Sequence, residues 1–123
     1  MDARQHLYYG LGLIAYAVAG IDGKVQREES ERLHTILSEG IKKSDADYDL
    51  ADIIFQIVAK DKPDFETAYQ WGMDAIKIGK DKLTPGLKWT FLEILQEVAT
   101  AFPGGEEKEM RLIATFAADL RKI

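Results

Sequence analysis

Carboxylates are the chemistry this chain offers most clearly. Between positions 19 and 29 it reads Ala19-Gly20-Ile21-Asp22-Gly23-Lys24-Val25-Gln26-Arg27-Glu28-Glu29, so that Asp22, Glu28 and Glu29 gather around one tight turn. Gly23 can take the positive φ that turns a chain between helices, leaving the Asp22 carboxylate projecting there, while Val25 is expected to anchor the loop in the core. Oxygen donors of this kind suit a hard divalent cation such as Ca²⁺ or Mg²⁺. The same residues also serve simpler ends. Asp-Gly makes a tight turn, and glutamates in the first turn of a helix are favoured by its dipole by about 0.3–1 kcal/mol each. Glu93 and Glu97 form a second acidic pair one helical turn apart, on the face opposite the apolar stripe of their helix. If they meet the Asp22 turn, mutual repulsion would raise the carboxylate pKa values and favour a cation. The candidate metal ligands are therefore Asp22, Glu28, Glu29, Glu93 and Glu97, with Gly23 making the turn.

A calcium loop of the EF-hand type has Asp at its fifth position, Gly at its sixth, an apolar residue at its eighth and Glu at its twelfth. Asp22, Gly23, Val25 and Glu29 satisfy those four, but the first and third positions would be Val18 and Gly20, which supply no side-chain oxygen. An EF-hand is excluded. Other reactive constellations are missing too. His6 and His34 are the only imidazoles and lack the i, i+4 spacing of a helical metal pair. Ser30, Ser38 and Ser44 lack the glycine-flanked elbow of a nucleophile. The absence of cysteine removes disulfides, thiolate zinc sites and thiol nucleophiles. A formal charge of −5 would repel a phosphate backbone, so nucleic acid is not an expected partner.

The elements that must hold these residues read as helices throughout. Asp2 followed three positions later by Gln5 predicts a capped helix reaching about Gly20, with Leu7, Leu11, Ile14, Val18 and Ile21 on one buried face. Its apolar run imitates a signal peptide, but Asp2 spoils the positive end, and the stretch falls short of the ~20 residues that span a bilayer. No direct membrane insertion and a cytoplasmic location are expected. Gly10 and Gly12 lower helix propensity and are expected to admit a neighbouring backbone. Further helices are predicted over about 26–43 (inner Leu33, Ile36, Leu37 and Ile41; outer Glu28, Glu31, Arg32 and Glu39), 47–59 (inner Leu50, Ile53, Ile54, Ile57 and Val58) and 64–76 (capped by Asp64; inner Phe65, Tyr69, Met73 and Ile76). After a polar break at 77–82, Thr84 and Pro85 open a fifth with Leu87, Phe91, Ile94, Val98 and Phe102 inside. Pro103-Gly104-Gly105 ends it, and a last helix over about 106–121 is expected to bury Met110, Ile113, Phe116, Ala117 and Leu120. No linker divides residues 1–123, which read as one domain.

A shift of eighty residues lays Leu7 on Leu87, Tyr9 on Trp89, Leu11 on Phe91, Ile14 on Ile94, Val18 on Val98, Ala19 on Ala99 and Glu29 on Glu109. The shared order of apolar helix, Gly-containing turn and acidic helix start reads as a weak internal duplication of a helical hairpin. The first copy, an apolar helix ending in Ala19-Gly20-Ile21-Asp22-Gly23, then Val25, then Glu28-Glu29, resembles the first motif of the TerB family of tellurite-resistance domains and the N-terminal region of DjlA co-chaperones. That resemblance implies an all-α, single-domain bundle of about six or seven helices with acids near its two turns. It carries Asp22, Gly23, Glu28 and Glu29 over as the family's first motif. The second copy, Phe102-Pro103-Gly104-Gly105-Glu106-Glu107, departs by lacking the Asp-Gly.

The expected function is a TerB-like binding module, in a stress or tellurite-response context, whose acidic surface engages a divalent cation or a protein partner. By the same resemblance the partner is often membrane-associated, and homo-oligomers are allowed. No catalytic constellation is recognised. The competing readings are a metal-assisted hydrolase using the clustered carboxylates and a purely structural subunit.

Overall fold

The computed structural model describes residues 1–21, 31–32, 35–36, 48–101 and 106–123, and these form helices joined by short turns, with no strand among them. Five helices have defined bounds: α1 (Ala3–Gly20), α2 (Tyr48–Asp61), α3 (Phe65–Ile78), α4 (Pro85–Ala101) and α5 (Glu106–Arg121), with a 3₁₀ turn at Lys80–Lys82. Glu31, Arg32, Thr35 and Ile36 are also helical, inside the segment predicted as the second helix. Leu33, Leu37, Ile41 and Phe102 lie outside the described residues.

Helix α1 begins as its sequence dictates. The Asp2 carboxylate accepts from the Gln5 amide at 2.8 Å, and the Gln5 side chain accepts from the Asp2 amide at 3.0 Å, closing a capping box. Beyond that start the expectation of a single buried face is corrected. Leu7, Tyr8 and every residue from Gly10 to Ala19 are buried, because α1 packs against α2, α3, α4 and α5. A helix apolar on all sides belongs in the middle of a core, which explains why this stretch imitates a signal sequence. Among the described residues no helix is long and apolar enough to cross a membrane.

Glycines set how closely the neighbours approach. A Cβ on Gly10 would lie 2.7 Å from the Gly72 carbonyl oxygen, and one on Gly72 would lie 3.0 Å from that of Gly10, so α1 and α3 cross backbone to backbone. A Cβ on Gly12 would collide with the Ala51 carbonyl in α2. This contact also corrects the predicted face of α2. Ala51, Phe55 and Val58 are buried and Leu50 and Ile54 half-buried, whereas Ile53 and Ile57 are exposed. The small Ala51 turns toward Gly12 and rotates those two isoleucines outward.

The remaining helices start where their caps lie. Asp64 accepts from the Thr67 amide at 2.7 Å and Thr84 from the Leu87 amide at 3.1 Å. Helix α3 buries Met73 and Ile76, with Phe65 and Tyr69 half-buried. It runs on to Ile78, so Lys77 is helical rather than part of a break. Helix α4 buries Phe91, Ile94 and Val98, the Phe91 ring standing tilted against Tyr8 at 6.0 Å. In α5, Ile113, Phe116 and Leu120 are buried as predicted, but Met110 is exposed and Glu109 is buried in its stead. Positions 109, 113, 116 and 120 form one helical stripe, and Met110 lies a residue off it. One hydrophobic core draws on all five helices.

Gly12→Ala is expected to lower stability by about 1–3 kcal/mol through overpacking against Ala51, although alanine is the better helix former by ~1 kcal/mol. Gly86→Ala, where a Cβ meets nothing nearer than the Thr84 hydroxyl at 3.9 Å, is expected to be neutral or stabilising. Urea denaturation of both variants checks the contrast; equal midpoints would contradict it.

Candidate functional site

The buried axis of the fold ends at Gly20, and Ile21 follows as a half-buried C-cap in the right-handed region, φ −64°. Asp22, Gly23, Glu28 and Glu29, the core of the predicted acidic motif, lie outside the described residues, as does His34. Glu93 and Glu97 are described. Both are exposed on α4, on the side away from Phe91, Ile94 and Val98, and Trp89 one turn earlier is exposed as well. The spacing of four residues makes Trp89, Glu93 and Glu97 one outward stripe. Among the described residues no group of three or more His, Cys, Asp or Glu could hold a metal ion. His6 is engaged locally, its Nδ1 2.9 Å from the Asp2 carbonyl oxygen.

Two clefts bring together residues that the sequence assigned to no site. The first, of about 370 Å³, opens beside the end of α1 and is lined by Ile21, Phe65, Lys108, Arg111, Leu112 and Thr115. Ile21 is placed by the register of α1, and Phe65 by the Asp64 cap that begins α3. The four α5 residues recur at helical spacing along one ridge. Its charge is cationic: Arg111 pairs with Glu107 one turn back, both side chains highly exposed, and such a pair contributes at most about 0.5 kcal/mol. Next to Lys108 in sequence, Glu109 turns to the opposite, buried side of α5. A carboxylate out of water is costly for a fold unless its charge is offset. The stripe 109, 113, 116 and 120 was the available signal for its burial, outweighed by the hydropathy of Met110.

The second cleft, of about 310 Å³, lies between α3 and the end of α5, with Tyr69, Met73, Lys77, Asp119 and Lys122 among its walls. The Tyr69 hydroxyl donates to Asp119 Oδ2 at 2.5 Å, tying the two helices. Burial, then the hydrogen bond and charge of Asp119, push the Tyr69 pKa well above its ordinary 10.0. Tyr16, whose hydroxyl donates to the Pro63 carbonyl at 2.9 Å, is raised too, by burial first and by Asp64 second.

Because folding favours the protonated Tyr69 phenol, its contribution is intact below the ordinary value of 10.0 and is lost as pH climbs through the elevated one. Tyr69→Phe is expected to cost about 1–2 kcal/mol at neutral pH and to make the alkaline loss of stability shallower. Denaturation curves across the alkaline range, with the Asp119→Asn variant alongside, measure this; an unchanged alkaline slope would refute the role of Tyr69.

No protein-family model, curated protein or solved structure matches this chain.

Proposed function

We propose that the chain is a TerB-like cytoplasmic binding module, not an enzyme, that holds a basic protein partner on an acidic surface. The observation that carries this reading is the stripe of Trp89, Glu93 and Glu97 on α4, an exposed aromatic ring backed by two exposed carboxylates. An indole offers its face to Lys or Arg and its area as an anchor. Carboxylates one and two turns further on add charge-assisted hydrogen bonds to the same cations. Exposed ion pairs are individually weak, so the tryptophan carries most of the contact and the glutamates select the sign of the partner's charge.

A second reading, a divalent cation held by Asp22, Glu28 and Glu29, is favoured by the spacing of those acids around Gly23 and by the way α1 leads the chain from the core to the edge of an open cleft just before Asp22.

Capture of basic proteins from an extract is expected with the wild-type chain at low salt and to fall severalfold with Trp89→Ala or with Glu93→Gln and Glu97→Gln combined; capture indifferent to both changes would remove the partner reading. Calorimetric titration of Ca²⁺, Mg²⁺, Mn²⁺ and Zn²⁺ tests the other. Heat from the wild type that disappears in Asp22→Ala is the expected result, and no heat with any of the four ions would discard the cation.

A further inference from the structure

The cleft at the end of α1 has a composition unlike the acidic surface proposed for the partner. Its floor is apolar and comes from three elements distant in sequence: Ile21 after α1, Phe65 at the start of α3 and Leu112 in α5, all half-buried, with Phe65 and Leu112 packed against the core. Among the described residues its charged groups are cations. The Thr115 hydroxyl is already donated to the Arg111 carbonyl at 3.1 Å. Among the described residues Lys108 has no ion-pair partner, and Arg111 is held by an exposed pair with Glu107 that costs little to exchange. In a chain of net charge −5, two cations on the rim of an apolar hollow select an anion. The hollow beneath them selects an apolar tail over a bare inorganic ion. Its volume of about 370 Å³ falls at the small end of ligand sites, which run from ~300 to ~1,000 Å³.

We propose that this cleft binds a small monocarboxylic acid with an apolar tail, the tail lying on Ile21, Phe65 and Leu112 and the carboxylate held by the Lys108 ammonium and the Arg111 guanidinium. The guanidinium fork suits a planar carboxylate, and it swings from Glu107 to the ligand without entering the core. The site shares Ile21 with the start of the acidic turn, and none of its described lining residues belongs to the Trp89 stripe.

The test is a nuclear magnetic resonance titration of the full chain with butyrate, hexanoate and octanoate, using acetate, octanol and octylamine as controls. Saturable shifts at the amides of Phe65, Leu112 and Thr115 are expected. Affinity should rise by up to about fourfold per methylene from butyrate to octanoate, with acetate and octylamine silent and octanol roughly tenfold weaker than octanoate. Lys108→Gln and Arg111→Gln should each weaken octanoate about threefold and together about tenfold. Both side chains are exposed, so the variants should keep the wild-type thermal midpoint. Trp89→Ala and the combined Glu93→Gln and Glu97→Gln variant should bind octanoate as the wild type does, which keeps failure here separate from failure of the partner reading. Absence of saturable shifts with octanoate, equal binding of octanol, or undiminished binding by the double variant would each overturn the proposal.

Discussion

Helix α1 has no side that faces water once its first turns are past, and the other helices are arranged to satisfy that condition. A rod apolar all round must be covered all round, and the cover comes chiefly from α2 and α3, with α4 and α5, which pack on each other, closing the rest. Close approach is what makes so small a cover sufficient. Gly10 against Gly72 and Gly12 against Ala51 bring backbones where side chains would otherwise stand, and the 3₁₀ turn packs at the start of α1 through Gly79, whose own Cβ would strike the Ala3 carbonyl. The glycines give up about 1 kcal/mol each in helix propensity and return it as van der Waals contact along the crossings.

The periphery follows from this centre. With α2 rotated so that Ala51 meets Gly12, Ile53 and Ile57 must point outward; with α4 turned so that Phe91 meets Tyr8, Trp89, Glu93 and Glu97 must do the same. The acidic stripe and the cationic cleft thus owe their positions to packing decisions made in the core. Polar ties such as Tyr16 to Pro63 and Tyr69 to Asp119 then fasten turns and helix ends that the glycine contacts do not reach.

What could be read in the sequence was what depends on near neighbours along the chain. The caps at Asp2, Asp64 and Thr84 need only three or four residues to declare themselves, and all three are in place. Glu93 and Glu97 were legible as an outward pair for the same reason. Gly10 and Gly12 announced a close approach but not its partners, since Gly72 and Ala51 lie tens of residues away. The face of α2 was misread because apolar residues at 50, 51, 53, 54, 55, 57 and 58 leave the period too little contrast to choose a side, and Met110 was preferred to Glu109 because hydropathy outranked the stripe. The cleft was not legible at all: Ile21, Phe65 and Leu112 become neighbours only in three dimensions. The three acids and the glycine of the Asp22 motif lie in a segment that the described residues do not include.

The all-round burial of α1 also bears on the order in which the protein is made. During synthesis α1 precedes every helix that covers it, and α4 and α5 follow some eighty residues later. At a ribosomal pace of about 5–20 residues per second, the stretch from Gly10 to Ala19, in which Tyr16 alone carries a polar side chain, waits several seconds with part of its surface uncovered. Such a segment is what chaperones that hold exposed apolar chain are suited to shield. The helix most secure in the finished molecule is therefore the one most in need of protection before completion.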